Sequence, residues 1–290
     1  MWGGRTVIGM IRRSQASALR VRPPLLVATS LVFLGFIALT ASFGRLLYPG
    51  AMRQDILTGL VPPRSAGHLL GTDELGRDIL AMTIAGTGSA VLGPVCVALG
   101  SMLLGTWLGT LAGYERGAVD FLVGRWTDFL LALPLLFAAI VVGGVLGGGY
   151  WLTVGVLTIL FSPSDIRIVR AAVLEQSARP YIEGAKMLSL PKHRVILRHL
   201  LPNVYTLIIT NVMLNIAFAM VAFSSLAFLG VGVSSTSADW GAQLASNRQI
   251  AFDNPAAVVV PAVLIILVAC AVNILGDYWG QYLSRRGARG

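Results

Sequence analysis

The feature that most constrains this chain is a series of long apolar stretches, separated by short polar or basic segments. A helix that crosses a bilayer needs about 20 mostly apolar residues. Five stretches clearly meet this length, at about 25–44, 89–113, 122–146, 204–229 and 257–277. A sixth stretch, about 147–164, is purely apolar only from Tyr150 to Phe161, before a Ser-Pro-Ser-Asp run begins at Ser162. We include it because the flanking basic segments otherwise fall on opposite sides of the membrane.

The composition indicates a protein whose surface is largely covered by lipid. Of 290 residues, 56% are hydrophobic and only 12% are charged, whereas soluble domains carry about 25% charged residues. The net charge of +9 could indicate nucleic acid, but the basic residues cluster beside the apolar stretches, as in membrane proteins. The arginine-rich start resembles a signal peptide, yet the following run is long enough to span, so we predict a retained first helix. We predict an all-α, polytopic membrane protein with no nucleic-acid partner.

Charge asymmetry predicts the orientation of six transmembrane helices. The segment 1–24 holds five arginines and no acidic residue, and the segment of about 164–203 holds seven Lys and Arg against three acidic residues. The C-terminal tail is also basic. Because six spans put all three on one side, we predict that they are cytoplasmic. The segments 48–88 and 231–256 are nearly balanced in charge and are predicted to lie outside.

Small residues and one proline predict how the spans pack. Ser101, Gly105, Gly109 and Gly113 follow each other at intervals of four, so they share one helix face. Small residues let helix backbones approach closely in lipid, which predicts a compact bundle. Pro134 lies inside the third stretch and is predicted to kink it.

Polar residues within the spans are few. Asn211 and Asn215 lie one turn apart in the fifth stretch and should face the bundle interior, because amides are costly against lipid. They either bond another helix or line a solute path. The middles of the spans are otherwise nearly free of charge, and we find no metal-binding or catalytic cluster. An intramembrane enzyme is therefore the least favoured class. Separately, the sequence has no Gly-x-x-x-x-Gly-Lys-Ser/Thr loop, which argues against ATP binding.

The most informative segment lies in the basic region before the fifth span. It is predicted to form a short helix that ends near Ser189, then a turn and a second basic helix that ends before Pro202. Such a cytoplasmic knob either fills a groove on a soluble partner or is an ordinary amphipathic interfacial loop. The candidate contact residues are Tyr181, Glu183, Gly184, Ala185, Met187, Leu188, Ser189, Leu190 and Pro191.

This segment resembles the EAA loop of ABC importer permeases, which docks on the ATPase subunits. It matches the family at Glu183, Ala185 and the later Leu201-Pro202. It departs at Gly184, where alanine is usual, and at Ser189, where glycine is usual. Serine tolerates positive φ less well than glycine, so these departures bear on the shape of the turn.

A second segment, His68 to Leu80, resembles the external signature of the dipeptide, oligopeptide and nickel permeases, specifically the C-type member of their paired subunits. Its residues predict a turn at Gly71, a helix cap from Thr72 or Asp73, and a local pair between Arg77 and Asp78. We favour a connecting role over ligand contact. With further matches, the resemblance covers about residues 65–283. It departs at Gly86-Thr87-Gly88-Ser89, where arginine is common, and at Ser234, Ser235 and Ser237, where prolines are usual.

The resemblance implies a type I ABC importer permease fold that forms half of a translocation path. It implies a heterodimer with a second permease, two ATPase subunits that hold ATP and Mg²⁺, an external solute-binding protein, and no cofactor on this chain. Small peptides are the expected cargo, with nickel, glutathione or haem as alternatives; the alternative from another class is a channel or scaffold without ATP coupling. The expected location is the cell membrane, and the charge asymmetry predicts that both termini are cytoplasmic.

In these terms the chain divides into five parts. They are a cytoplasmic tail (1–24), a first transmembrane helix (25–47), an external segment (48–88), a core permease domain (89–280) with its coupling loop at about 173–203, and a cytoplasmic tail (281–290).

Overall fold

The computed structural model describes residues 25–234 and 237–287. The predicted N-terminal tail 1–24, Ser235 of the serine-rich loop, and residues 288–290 lie outside the described residues. The regular elements of the described part are helices, so the all-α fold class is confirmed. They are α1 (Leu25–Leu47), α2 (Ile79–Glu115), α3 (Gly117–Leu131), α4 (Leu135–Val145), α5 (Tyr150–Ser177), α6 (Pro180–Met187), α7 (Lys192–Val195), a π-helical turn (Ile196–Leu200), α8 (Leu201–Phe228), α9 (Trp240–Asn247), a 3₁₀ turn (Arg248–Ile250) and α10 (Ala256–Gly287).

Five of these helices are long and apolar enough to cross a membrane: α1, α2, α5, the continuous run Lys192–Phe228, and α10. Helices α3 and α4 make a sixth span if they are counted as one, and they meet at a bend of 88°. The bend lies where a kink was predicted, because Pro134 caps α4 and has no N–H to continue the hydrogen bonding of α3. The six predicted spans therefore correspond to these elements.

The predicted start of the second span was wrong by ten residues, because α2 begins at Ile79 and not at 89. The end of the predicted external segment 48–88 is thus helical. Asp78 fixes this start, since its Oδ1 accepts a hydrogen bond of 2.8 Å from the backbone N–H of Ala81. At the other end of the chain, α10 continues to Gly287, into the predicted tail.

The predicted fourth span, 147–164, was too short. Helix α5 passes through Pro163 and ends only at Ser177. Proline removes the N–H that would bond the carbonyl of Ile159, and the Ser162 hydroxyl donates to that carbonyl instead, at 2.8 Å. The beginning of the region predicted as a cytoplasmic loop is therefore helical, and it brings Asp165 into a helix in the bundle core.

The stripe of small residues on α2 packs against α5. A side chain added at Gly113 would come within 2.8 Å of Val173, and one added at Gly109 within 2.7 Å of the carbonyl oxygen of Ile166. Helix α5 therefore lies close along α2, as small residues at a helix contact permit. This places the buried face of α5 at the centre of the bundle.

Helix α5 is also tied to α3 by ion pairs. Arg170 binds Asp120 through both guanidinium and carboxylate ends, with Nη2 at 2.7 Å from Oδ2. Arg167 donates to Asp128 at 2.5 Å. These pairs hold the two helices at the end of the bundle that carries the knob.

Candidate functional site

The knob, residues 180–200, is seated on the rest of the chain by an apolar inner face. Ile182 is fully buried and Ala185 is 7% exposed. They pack in one cluster with Val173 of α5 and Leu200 of the π-helical turn. Lys192 of the knob also pairs with α2, since its Nζ lies 2.7 Å from a carboxylate oxygen of Glu115 at the end of that helix. The knob is thus a supported element and not a free loop.

The opposite face of the knob is open to solvent. Met187 and Leu188 form its tip, where they are 84% and 76% exposed. Tyr181, Glu183, Ser189 and Pro191 are exposed as well. Exposed apolar side chains grouped at the end of a supported helix are typical of a surface that a partner covers.

The structure therefore brings the nine predicted contact residues together in one element but divides them between two faces. Ala185 and, in part, Leu190 contribute to the chain's own core. Gly184 lies between the faces, with nothing within 4 Å of a side chain added there. Which of the exposed residues contact a partner stays a prediction.

The turn that ends α6 keeps the geometry that glycine would favour. Ser189 has φ of 52°, in the left-handed region. The N–H of Leu190 donates back to the carbonyl of Ala185 at 3.3 Å, and both residues pack in the same apolar cluster. This is a Schellman arrangement, which closes a helix and directs the chain back.

We expect Ser189→Gly to stabilise the turn modestly. A non-glycine residue in the left-handed region costs about 1–2 kcal/mol, which the substitution removes. Glycine also makes the unfolded chain more flexible, which opposes this gain by about 0.4–1 kcal/mol. Hydrogen exchange of the Leu190 amide should slow a few-fold, while Ser177→Gly, within α5, should not slow it. Faster exchange in Ser189→Gly would contradict the strain at this turn.

Asn211 and Asn215 both face the protein interior and bond a second helix. Asn211 Nδ2 lies 2.6 Å from Asp165 Oδ1, and Asn215 Nδ2 lies 2.7 Å and 2.9 Å from the two carboxylate oxygens. Asp165 is fully buried. The first of the two alternatives, a bond between helices, is therefore present, whereas the path role stays a prediction. Both asparagines also line a cavity of about 510 Å³ between α3, α4, α5 and α8.

Asp165 is the residue that sequence reasoning missed, since it was assigned to a loop and the spans were described as nearly free of charge. A signal was present in the sequence. Leu157, Ile166, Val169 and Val173 are buried at helical spacing across Pro163. That pattern favours one continuous helix, with Asp165 inside it.

Replacing Asn215 by Leu is expected to impair assembly or transport severalfold. The change leaves the buried Asp165 carboxyl without two of its contacts, and an unsatisfied buried group costs about 1–3 kcal/mol or more if charged. Val221→Leu on the same helix is the control, because Val221 is 54% exposed and does not line this cavity. The measurement is the yield of assembled complex and its uptake; equal values for the two variants would contradict a role for the amide.

The segment 48–78, predicted to lie outside the membrane, forms a lobe whose polar groups bond each other. Arg77 pairs with Asp73, with Nε at 2.6 Å from Oδ2. The predicted pair Arg77–Asp78 and the predicted cap from Thr72 or Asp73 were thus wrong, because Asp78 caps α2 and also lies 2.7 Å from His68 Nδ1. Asp73 instead accepts bonds from backbone N–H groups of its own turn.

The segment 231–256, also predicted to lie outside, packs against this lobe. Asn254 Nδ2 donates to the carbonyls of Leu70 and Thr72 at 3.0 and 3.1 Å. Trp240, fully buried, donates from Nε1 to the carbonyl of Thr83 at 2.9 Å. Burial raises the pKa of Asp239, which caps α9. The motif around residues 68–80 therefore has an internal structural role, as the connecting interpretation requires.

Comparison with known proteins gives the family. Residues 105–288 match the family described as the binding-protein-dependent transport system inner membrane component. The glutathione transport system permease protein GsiD of Pectobacterium atrosepticum is 33% identical over 213 residues, 73% of this chain and 71% of the relative. The dipeptide transport system permease protein DppC of Alkalihalophilus pseudofirmus is 30% identical over 252 residues, 87% of this chain and 83% of the relative. A di/tripeptide DppC of Pseudomonas aeruginosa is 33% identical over 247 residues, covering 83% and 81%.

Solved structures show the same fold at low sequence identity. The inward-facing MetNI methionine ABC transporter aligns with a TM-score of 0.55 at 15% identity, over 70% of this chain and 97% of that chain. An amino acid ABC transporter aligns with a TM-score of 0.52 at 13% identity, over 70% and 94%. The predicted resemblance is confirmed, and the chain belongs to the family of inner-membrane components of binding-protein-dependent transport systems, the permeases of ABC importers.

Proposed function

We propose that this chain is the membrane-spanning subunit of an ATP-driven importer of small peptides, in which it forms half of the translocation path. The observation that carries the proposal is the knob, which rests on α5 through its inner face and presents an apolar tip. A soluble ATPase that moves this tip would move α5 with it. The peptide cargo is supported by relatives named for dipeptide, di/tripeptide and glutathione transport.

The proposed partners are a second permease, two ATPase subunits that bind ATP and Mg²⁺, and an external solute-binding protein. The absence of a phosphate-binding loop from the sequence supports placing ATP on separate subunits. The second permease is proposed from the resemblance to paired permease subunits, each of which forms half of one path.

The function is tested by ATP-dependent uptake in proteoliposomes that contain the whole complex and its binding protein. We expect uptake of radiolabelled dialanine and trialanine, competed by unlabelled peptides. If nickel, haem or glutathione is imported and the peptides are not, that solute is the cargo instead of small peptides. Uptake of solutes without ATP, and without ATPase association, would favour the channel alternative.

We also propose that the chain lies in the cell membrane with both termini cytoplasmic. In a background lacking Cys96 and Cys270, a cysteine introduced at Ser65 or Ser237 should react with an impermeant maleimide added outside intact cells. A cysteine at Ser284 should react only after permeabilisation. Protection of both external sites together with labelling at Ser284 would reverse the orientation.

A further inference from the structure

The most unusual buried group in the bundle is the Asp165 carboxyl. It is fully buried midway along α5, and it accepts bonds from Asn211 and Asn215 of α8. A carboxylate only accepts hydrogen bonds, so each amide must turn its N–H side towards Asp165. Ionisable residues inside membrane spans are costly and typically mark functional paths.

Because both N–H sides face Asp165, the two amide oxygens point elsewhere. Neither Oδ1 atom has a hydrogen-bond partner among the described residues. Neither of them is a fully buried polar atom left without a partner. Both residues line the 510 Å³ cavity, whose other described lining residues are apolar except Ser164. The cavity wall is therefore apolar except for Ser164 and these two amides, which lie one helical turn apart.

Asp165 has no cationic partner in the part of the chain that the structure describes. The nearby cations of α5 are already engaged, since Arg167 pairs with Asp128 and Arg170 pairs with Asp120. A charge in low-dielectric surroundings acts over a longer range than in water. The Asp165 carboxyl behind the two amides thus has no cation among the described residues to neutralise it.

We infer that this cavity is a subsite for the ammonium and N–H donors of the passing cargo, and that Asp165 is the positioning residue that sets it. The inference rests on the proposed peptide import. Asp165 fixes the orientation of both amides and supplies the negative potential, while Asn211 and Asn215 make the contacts. Cationic cargo is favoured over anionic cargo of the same size.

The test compares uptake of Ala-Lys-Ala and Ala-Glu-Ala by the reconstituted complex, with wild-type chain or Asp165→Asn. Asparagine keeps the shape but removes the charge and lets the neighbouring amides turn. Dividing each variant rate by the wild-type rate for the same peptide cancels the selection made by the binding protein. We expect the ratio for the lysine peptide to fall about fivefold below that for the glutamate peptide, a factor that corresponds to about 1 kcal/mol.

A relocated charge provides the rescue. The double variant Asp165→Asn/Asn215→Asp exchanges the two partners, so that the carboxylate is carried by α8 and the amide by α5. The preference for the lysine peptide should then return. Asn211→Leu removes one acceptor while leaving the Asp165–Asn215 contact, so it should lower uptake of the lysine peptide even if Asp165→Asn does not assemble.

The outcomes separate a positioning role from a helix contact. If Asp165→Asn and Asn211→Leu lower assembly or uptake equally for both peptides, Asp165 only holds the helices together and the inference is overturned. Unchanged uptake of both peptides in both variants also overturns it. If the wild-type complex imports neither peptide, the proposed function fails and this inference fails with it.

Discussion

Leu188→Asp is expected to abolish association with the ATPase subunits without harming the permease itself. Leu188 is 76% exposed in the chain, so an aspartate there stays hydrated, and surface changes of this kind usually alter stability by less than about 0.5 kcal/mol. In a docked complex the carboxylate would be buried against an apolar groove without a partner. Such burial costs a few kcal/mol. Because about 1.4 kcal/mol corresponds to a tenfold loss of affinity, the affinity for the ATPase should fall more than tenfold.

The measurement is co-purification of the ATPases together with peptide uptake, both of which should fall more than tenfold. Glu183→Lys should act in the same direction, because Glu183 is exposed beside the tip and charge reversal introduces repulsion towards a basic partner group. Arg179→Ala is the matched control: Arg179 pairs with the exposed Glu175 at 2.9 Å, and surface pairs contribute little.

A bulky residue at Ala185, which the sequence pattern favours as a probe of docking, would test something else. Ala185 packs in the chain's own core, so Ala185→Trp would overpack that core and disturb the knob itself. Gly184→Trp is the better probe, since a side chain there meets nothing within 4 Å. If Leu188→Asp, Glu183→Lys and Gly184→Trp all retain full association and uptake, the knob does not couple the chain to an ATPase.

The spans could be predicted because apolar length and charge asymmetry are properties of the sequence itself. The ends could not, because they depend on individual hydrogen bonds. Helix α5 continues past Pro163, where the Ser162 hydroxyl replaces the missing donor, and α2 starts at Ile79, where Asp78, and not Thr72 or Asp73, caps it. In both cases several neighbouring polar residues could have made the hydrogen bond, so the sequence does not specify which of them does.

The candidate site was predicted in part for a similar reason. The motif around Glu183 identifies the knob, and the geometry at Ser189 follows from the glycine position of the family pattern. The division of the knob into an inner and an outer face depends on which helix packs beneath it, which a motif does not specify. Asp165 was missed because its role requires α5 and α8 to lie side by side.

Arg77→Met is expected to destabilise the lobe of residues 48–78 more than any other single change proposed for this chain. Arg77 and Asp73 are 6% and 2% exposed at their side chains, so the substitution leaves a carboxylate buried without its cation. Removing one partner of a buried pair costs about 3–5 kcal/mol. The effect should lie near the lower end, because Asp73 keeps backbone N–H bonds from Leu75 and residue 77, at 3.0 and 2.8 Å.

Hydrogen exchange at the Thr72 amide, which bonds the carbonyl of Val61 at 3.0 Å, measures this loss directly. A cost of about 3 kcal/mol corresponds to exchange faster by roughly a hundredfold. Glu74→Gln is the control because Glu74 is exposed in the same turn. Adding Asp73→Asn to Arg77→Met should restore part of the protection, since asparagine keeps the acceptor oxygen but removes the unpaired charge. If Arg77→Met exchanges no faster than Glu74→Gln, the buried pair does not hold the lobe together.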